Sequence, residues 1–108
     1  MTRVTTHVLD TARGRPAAGV PVLLERAEGD GWRTVGRGVT DADGRVGDLA
    51  GTGTEPGRHR LTFDVRAHLG DGGFYPEVSV VFVVTDADAH CHVPLLLSPF
   101  GYSTYRGS

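Results

Sequence analysis

The sequence predicts an all-β fold: a sandwich of two antiparallel sheets with about eight strands and at most one short helix. Three observations carry this expectation. Sixteen glycines and six prolines cut the 108 residues into short apolar runs. No useful length of chain repeats apolar residues at helical spacing. Turn-forming clusters recur roughly every 8 to 12 residues, the rhythm of a sandwich.

The first candidate strand, Arg3 to Leu9, alternates Val4, Thr6 and Val8 against Thr5, His7 and Leu9, so the two sets face opposite sides of a sheet. Beyond the turn at Gly14-Arg15-Pro16 come Val20 to Arg26 and Trp32 to Thr40, separated by Glu28-Gly29-Asp30-Gly31. Asp41-Ala42-Asp43-Gly44 turns the chain into Arg45 to Leu49, and Glu55-Pro56-Gly57 leads into Arg58 to Arg66. The stretch from Ala67 to Pro76 has room for one helical turn, which its glycines keep short. Val78 to Val84, His90 to Leu97 and Tyr102 to Arg106 complete the set. In His90 to Leu97, alternation turns His90, His92 and Pro94 outward and Cys91 and Val93 toward the core. An outer face carrying Leu9, Leu96 and Tyr105 beside histidines is too apolar to stand in water, so a second subunit is expected to cover it.

A mass of 11.5 kDa suits one domain spanning residues 1–108. A net charge of -2 and a pI near 6.2 offer no attraction to phosphate backbones or anionic lipid, so neither nucleic acid nor membrane is expected as a partner. All basic residues are arginine. With Cys91 as the single cysteine, no internal disulfide can form and no thiolate pair is available for zinc. No signal-peptide-like or membrane-spanning apolar run is present, and a soluble cytoplasmic protein is expected. No glycine-flanked nucleophile and no Ser-His-Asp order appear, which leaves water as the natural nucleophile of any hydrolytic chemistry.

His90-Cys91-His92 places two imidazoles on one strand face, a spacing that chelates a metal only with further ligands. His7 is the one candidate third ligand, and no carboxylate accompanies the pair, so no metal site is assigned. Asp41-Ala42-Asp43-Gly44 lacks the later ligands and closing glutamate of a calcium loop and reads as a turn. Arg45, directly after it, is either a solvated strand-start residue or a planar fork for carbonyl and carboxylate oxygens.

The segments Thr6 to Ala17, Thr40-Asp41-Ala42-Asp43-Gly44-Arg45-Val46, Phe74-Tyr75-Pro76-Glu77 and the terminal Tyr105-Arg106-Gly107-Ser108 together closely resemble the 5-hydroxyisourate hydrolases, the enzymatic relatives of transthyretin. The resemblance runs nearly end to end, and the last four residues are its most specific part. It implies a transthyretin-like sandwich assembled as a homotetramer, a dimer of dimers with sites in the channel between them. It further implies hydrolysis of the ring amide of 5-hydroxyisourate to 2-oxo-4-hydroxy-4-carboxy-5-ureidoimidazoline in urate breakdown, with no metal or organic cofactor. Carried over by position, His7, Arg45, His92 and Ser108 are the catalytic candidates, and His7, Arg45, Tyr105, Arg106 and Gly107 are those for substrate binding. His7 and His92 would share proton transfer, Arg45 would hold a substrate oxygen, and Ser108 would offer a hydroxyl and a carboxylate. His90 fits the family pattern but ranks below His92, and Cys91 stands where an aromatic residue is common. A ligand carrier of the transthyretin kind and a purely structural sandwich module are the rival readings. Residues 14 to 65 alone suit the module, whereas His7 and the terminal signature do not.

Overall fold

The computed structural model describes residues 1–108. It contains nine strands: β1 (Arg3–Asp10), β2 (Arg15–Pro16), β3 (Pro21–Glu28), β4 (Gly31–Val39), β5 (Arg45–Val46), β6 (Gly57–Phe63), β7 (Val78–Val84), β8 (His90–Ser98) and β9 (Gly101–Thr104). One short helix, α1 (Arg66–Leu69), runs into a 3-10 turn at Gly70–Gly72. The first sheet has the order β2-β1-β8-β9, with β5 also paired to β1, and the second has the order β4-β3-β6-β7. The fold is the all-β sandwich of two sheets expected.

The second sheet is antiparallel throughout. The first departs from the expectation, because β1 and β8 run parallel from Arg3 opposite His90 to Asp10 opposite Leu97. Direction here follows from the chain path. The whole second sheet intervenes between β1 and β8, so no hairpin forces them antiparallel.

Alternation sets the faces where the site lies, although Pro94 of the outward row is buried as well. Val4, Thr6 and Val8 of β1 and Cys91, Val93, Leu95 and Leu97 of β8 are buried, while Thr5, His7 and His92 are half-buried and His90 is exposed. The inward rows meet Val22, Leu24, Leu61, Phe63 and Val78 of the second sheet in one core. Buried polar groups are all paired. The Thr6 hydroxyl donates to the Val93 carbonyl at 2.6 Å, tying β1 to β8 from within. His59, fully buried, donates from Nδ1 to the Gly57 carbonyl at 3.0 Å and accepts the Thr54 hydroxyl at Nε2 at 2.8 Å. At the far end of β1, the buried carboxylate of Asp10 accepts Nε2–H of His68 at 2.7 Å, which docks α1 onto the first sheet.

Three elements are shorter than the sequence suggests. The strand expected from Arg45 to Leu49 stops at Val46, because the chain turns inward to bury Leu49. That crossing passes so close to β4 that a Cβ on Gly36 would stand 1.7 Å from the Leu49 carbonyl oxygen, and one on Gly38 2.7 Å from a Val46 methyl. Glycine at these two positions thereby seats the segment carrying Arg45. The sixth strand ends at Phe63, and Arg66 opens α1 instead. The last ends at Thr104, after which the tail peels away to bridge His92 through Gly107.

Candidate active site

The outward rows of β1 and β8 supply the floor of a groove. In register, Thr5 lies opposite His92 and His7 opposite Pro94. On the other side of β1, Arg45 of β5 lies opposite His7. Its strand is launched by a turn in which the Asp41 carboxylate accepts the amides of Asp43 at 2.9 Å and Arg45 at 3.0 Å. The tail closes the groove from β8, with the Gly107 amide donating to the His92 carbonyl at 2.8 Å. A cavity of about 230 Å³ results, lined by Thr5, Arg45, His90, His92 and Ser108 among others.

Position Gly107 has no room for a side chain. A Cβ there would lie 2.5 Å from Cδ2 of His92 and 3.3 Å from Cγ of Pro94. The tail backbone therefore rests directly on the imidazole and fixes one edge of it. The other edge is held by Thr5, whose Oγ1 stands 2.7 Å from His92 Nδ1 and 2.7 Å from His90 Nε2. With Nδ1 committed to Thr5, Nε2 is the His92 nitrogen left for chemistry.

Electrostatics favours a neutral His92. Burial comes first, and the charges of His90, Arg45 and His7 add to it, holding the imidazole below its ordinary pKa. A neutral imidazole at physiological pH is the form that accepts a proton. Arg45 makes no ion pair within the chain, so its planar donors remain available to an incoming oxygen. The only thiol is no rival nucleophile, since burial pushes the Cys91 pKa up.

Of the residues the sequence singled out, the structure brings His92, Arg45 and Ser108 to one cavity, with Gly107 against the His92 ring and His7 in register with Arg45. Tyr105 and Arg106 lie elsewhere. They line a neighbouring apolar cavity of about 140 Å³ with Phe82, Cys91 and Val93, and His92 forms the wall between the two spaces. The Arg106 guanidinium donates to Asp88 at 2.9 Å, and the same carboxylate accepts the amide and hydroxyl of Thr85. The Thr85 amide and Arg106 hold Asp88 at a pKa of about 2, so the tail latch is ionic across the physiological range. Thr5 is the groove-lining residue in contact with both histidines that sequence reasoning passed over. Alternation had put it on the face of His7, but its reach to both histidines depends on the parallel register of β1 and β8.

A larger hollow, about 520 Å³, opens on the second sheet among Leu23, Arg37, Thr62, Asp64 and Glu77. It holds no histidine or cysteine, and the smaller groove gathers two histidines and Arg45.

Comparison with known proteins places these observations. The family model described as HIUase/Transthyretin family matches residues 4–107. The 5-hydroxyisourate hydrolase of Caulobacter vibrioides is 44% identical over 100% of both chains. The uric acid degradation bifunctional protein TTL of Arabidopsis thaliana is 48% identical over 97% of this chain, which spans 37% of that longer protein. Among solved structures, the Klebsiella pneumoniae 5-hydroxyisourate hydrolase superposes with a TM-score of 0.88 at 36% identity, covering 100% of each chain. A sea bream transthyretin in complex with thyroxine also gives 0.88, at 32% identity over 97% of this chain and 94% of that one. With a family model matched along nearly its whole length and relatives of this identity across it, the chain belongs to the HIUase/Transthyretin family.

Proposed function

We propose that this protein hydrolyses the ring amide of 5-hydroxyisourate to 2-oxo-4-hydroxy-4-carboxy-5-ureidoimidazoline. Fold alone does not choose between hydrolase and carrier, since both kinds of relative superpose equally well. The observation that carries the proposal is the groove: a neutral imidazole, an unpaired guanidinium and a hydroxyl-bearing tail meet in one small cavity. A carrier has no need of that combination.

The mechanism follows from the groups present. Nε2 of His92 takes a proton from water as the oxygen adds to the amide carbonyl carbon. Arg45 donates to the oxyanion that forms, a fixed cation aimed where negative charge grows. The imidazolium of His92 then gives its proton to the ring nitrogen as the C–N bond breaks. Water has supplied hydroxyl to carbon and hydrogen to nitrogen, and the new carboxylic acid ionises in solution. Arg45 adds positive potential beside His92, and Ser108 offers its hydroxyl to the substrate. No step calls on a metal or an organic cofactor.

We further propose that the active form is a homotetramer. β7 and β9 are edge strands, and β7 exposes an uncharged row in which Val81 is 50% and Val83 61% accessible. Unprotected edges of this kind pair with another chain. A single domain over residues 1–108 acting in the cytoplasm fits a chain with one free, buried cysteine. No helix is long and apolar enough to cross a membrane.

The test is the fate of the substrate's carbons. With ¹³C-labelled 5-hydroxyisourate, NMR should register a new carboxylate signal faster with protein than without it. Bound substrate persisting unchanged would establish the carrier reading instead.

A further inference from the structure

Thr5 is the one uncharged polar side chain in contact with two imidazoles at once. Its Oγ1 lies 2.7 Å from both His92 Nδ1 and His90 Nε2. A hydroxyl has one hydrogen to give and two lone pairs to receive. It cannot donate to both rings, so at least one of these two nitrogens must carry a proton. The arrangement thus couples the tautomers of His90 and His92.

Two neutral arrangements satisfy both bonds with the Thr5 hydrogen spent inside the pair; a third, in which both rings donate to Thr5 and its hydrogen turns to solvent, also leaves His92 Nε2 bare. In the first, His90 Nε2–H donates to Thr5 and Thr5 donates to His92 Nδ1, so the His92 proton sits on Nε2. In the second, His92 Nδ1–H donates to Thr5 and Thr5 donates to His90 Nε2, which leaves His92 Nε2 bare. The surrounding charges decide between them. Arg45 lines the groove with His92, and its fixed positive charge acts on the ring. A neutral imidazole is a dipole whose bare nitrogen is the negative end, and with Nδ1 held by Thr5 the end left for an outside positive charge is Nε2. His90, for its part, is exposed, and in this arrangement its Nδ1–H is solvated by water at no cost.

We propose that Thr5 is a positioning residue that holds His92 in the Nδ1–H tautomer, with His90 as the acceptor completing the chain, so that Nε2 is presented bare to water and substrate. This rests on the hydrolase reading above and specifies how its base is made ready. The bond survives the catalytic cycle: when Nε2 takes a proton, Nδ1–H still donates to Thr5, so the ring does not turn between its two proton transfers. The charged or titratable groups around this unit are His7 and Arg3 on β1, Arg45 on β5, His90 on β8 and the tail that ends in Ser108. None of them offers His92 Nδ1 another hydrogen-bond acceptor.

The test uses the assembled protein with ¹⁵N-labelled histidine. Long-range proton–nitrogen NMR of the free wild type should show His92 protonated at Nδ1 and bare at Nε2. Thr5→Val keeps the branched shape that a strand favours but removes the hydroxyl. It should yield mixed His92 tautomers and lower kcat roughly tenfold or more, the scale of a weakened acid–base group, with KM within about twofold. Thr5→Ser, which restores the hydroxyl, should recover both tautomer and rate. A wild-type His92 carrying its proton on Nε2 would overturn the proposal, and this reading requires no variant to fold. So would a Thr5→Val protein with an unchanged tautomer and kcat. The spectrum needs no substrate, so a wild type that fails to hydrolyse 5-hydroxyisourate would sink the hydrolase reading while leaving the tautomer measurement to stand by itself.

Discussion

Gly107→Ala isolates one geometric demand of the site. The added Cβ would stand 2.5 Å from His92 Cδ2, 3.2 Å from its Cγ and 3.3 Å from Pro94 Cγ. Carbon atoms rest at about 3.5–4.0 Å, so roughly 1 Å has to be found. Gly107 has no positive φ, and alanine fits its backbone without strain, which makes the effect purely steric. Either the imidazole swings or the tail lifts, and a lifted tail gives up the 2.8 Å bond from the Gly107 amide to the His92 carbonyl and carries Ser108 away. Misplacing a reacting group by 1 Å costs on the order of 100-fold in rate, or about 2.7 kcal/mol on the barrier. Stability should barely respond, because one partly exposed hydrogen bond is worth about 1 kcal/mol. The assay is kcat for 5-hydroxyisourate beside a thermal melt. Gly101→Ala is the control, since its Cβ meets only Ser98 Oγ at 3.7 Å. A Gly107→Ala enzyme as fast as the Gly101→Ala control would refute the packing argument.

Other expectations follow from the charges. His92 is held below its ordinary pKa, so the acid limb of kcat/KM should have its midpoint below about 6.5; a midpoint above it would show that the cationic neighbours do not act on the base. His59 is held neutral chiefly by burial, against the pull of the Gly57 carbonyl and with help from Arg26. Its folded pKa is depressed, so its contribution is complete above the unfolded value near 6.5 and is lost as pH falls below it. Melting curves from pH 7.5 to 5 should show a decline that His59→Gln lessens, and parallel declines would contradict this. Asp88→Asn should free Arg106 and loosen the tail, lowering kcat several-fold with little change in melting temperature; an undiminished kcat would show that the latch does not serve the site. Val83→Glu, on the exposed edge strand β7, should shift the mass in solution below that of a tetramer, and an unchanged tetramer would exclude β7 from the interface.

Alternation made β1 and β8 legible because each buries its inward row, and it correctly turned His7, His90 and His92 away from the core. Pairing was not legible in the same way. Period-two patterning fixes faces, whereas the parallel register that lays Thr5 beside His92 depends on a chain path through the whole second sheet. The placement of Arg45 against β1 is likewise non-local, resting on two glycines of β4 that let the Val46–Leu49 segment cross over them. Nothing in the pattern of β4 announces that crossing. Arg106 illustrates a third limit: an arginine beside a candidate site reads as a substrate fork, and its pairing with Asp88 appears only when the β7–β8 turn is folded beside the tail. The resemblance supplied what periodicity could not, namely which histidine and which arginine belong together.

The central claim is that this groove opens the ring amide with His92 as the base. The most direct measurement follows the ultraviolet decay of 5-hydroxyisourate, generated in situ from urate by urate oxidase, with wild type, with His92→Ala and with no added protein. Decay accelerated by the wild type and returned to background by His92→Ala is the predicted result; a folded wild type that leaves the background rate unchanged, or a His92→Ala variant as fast as the wild type, would contradict it.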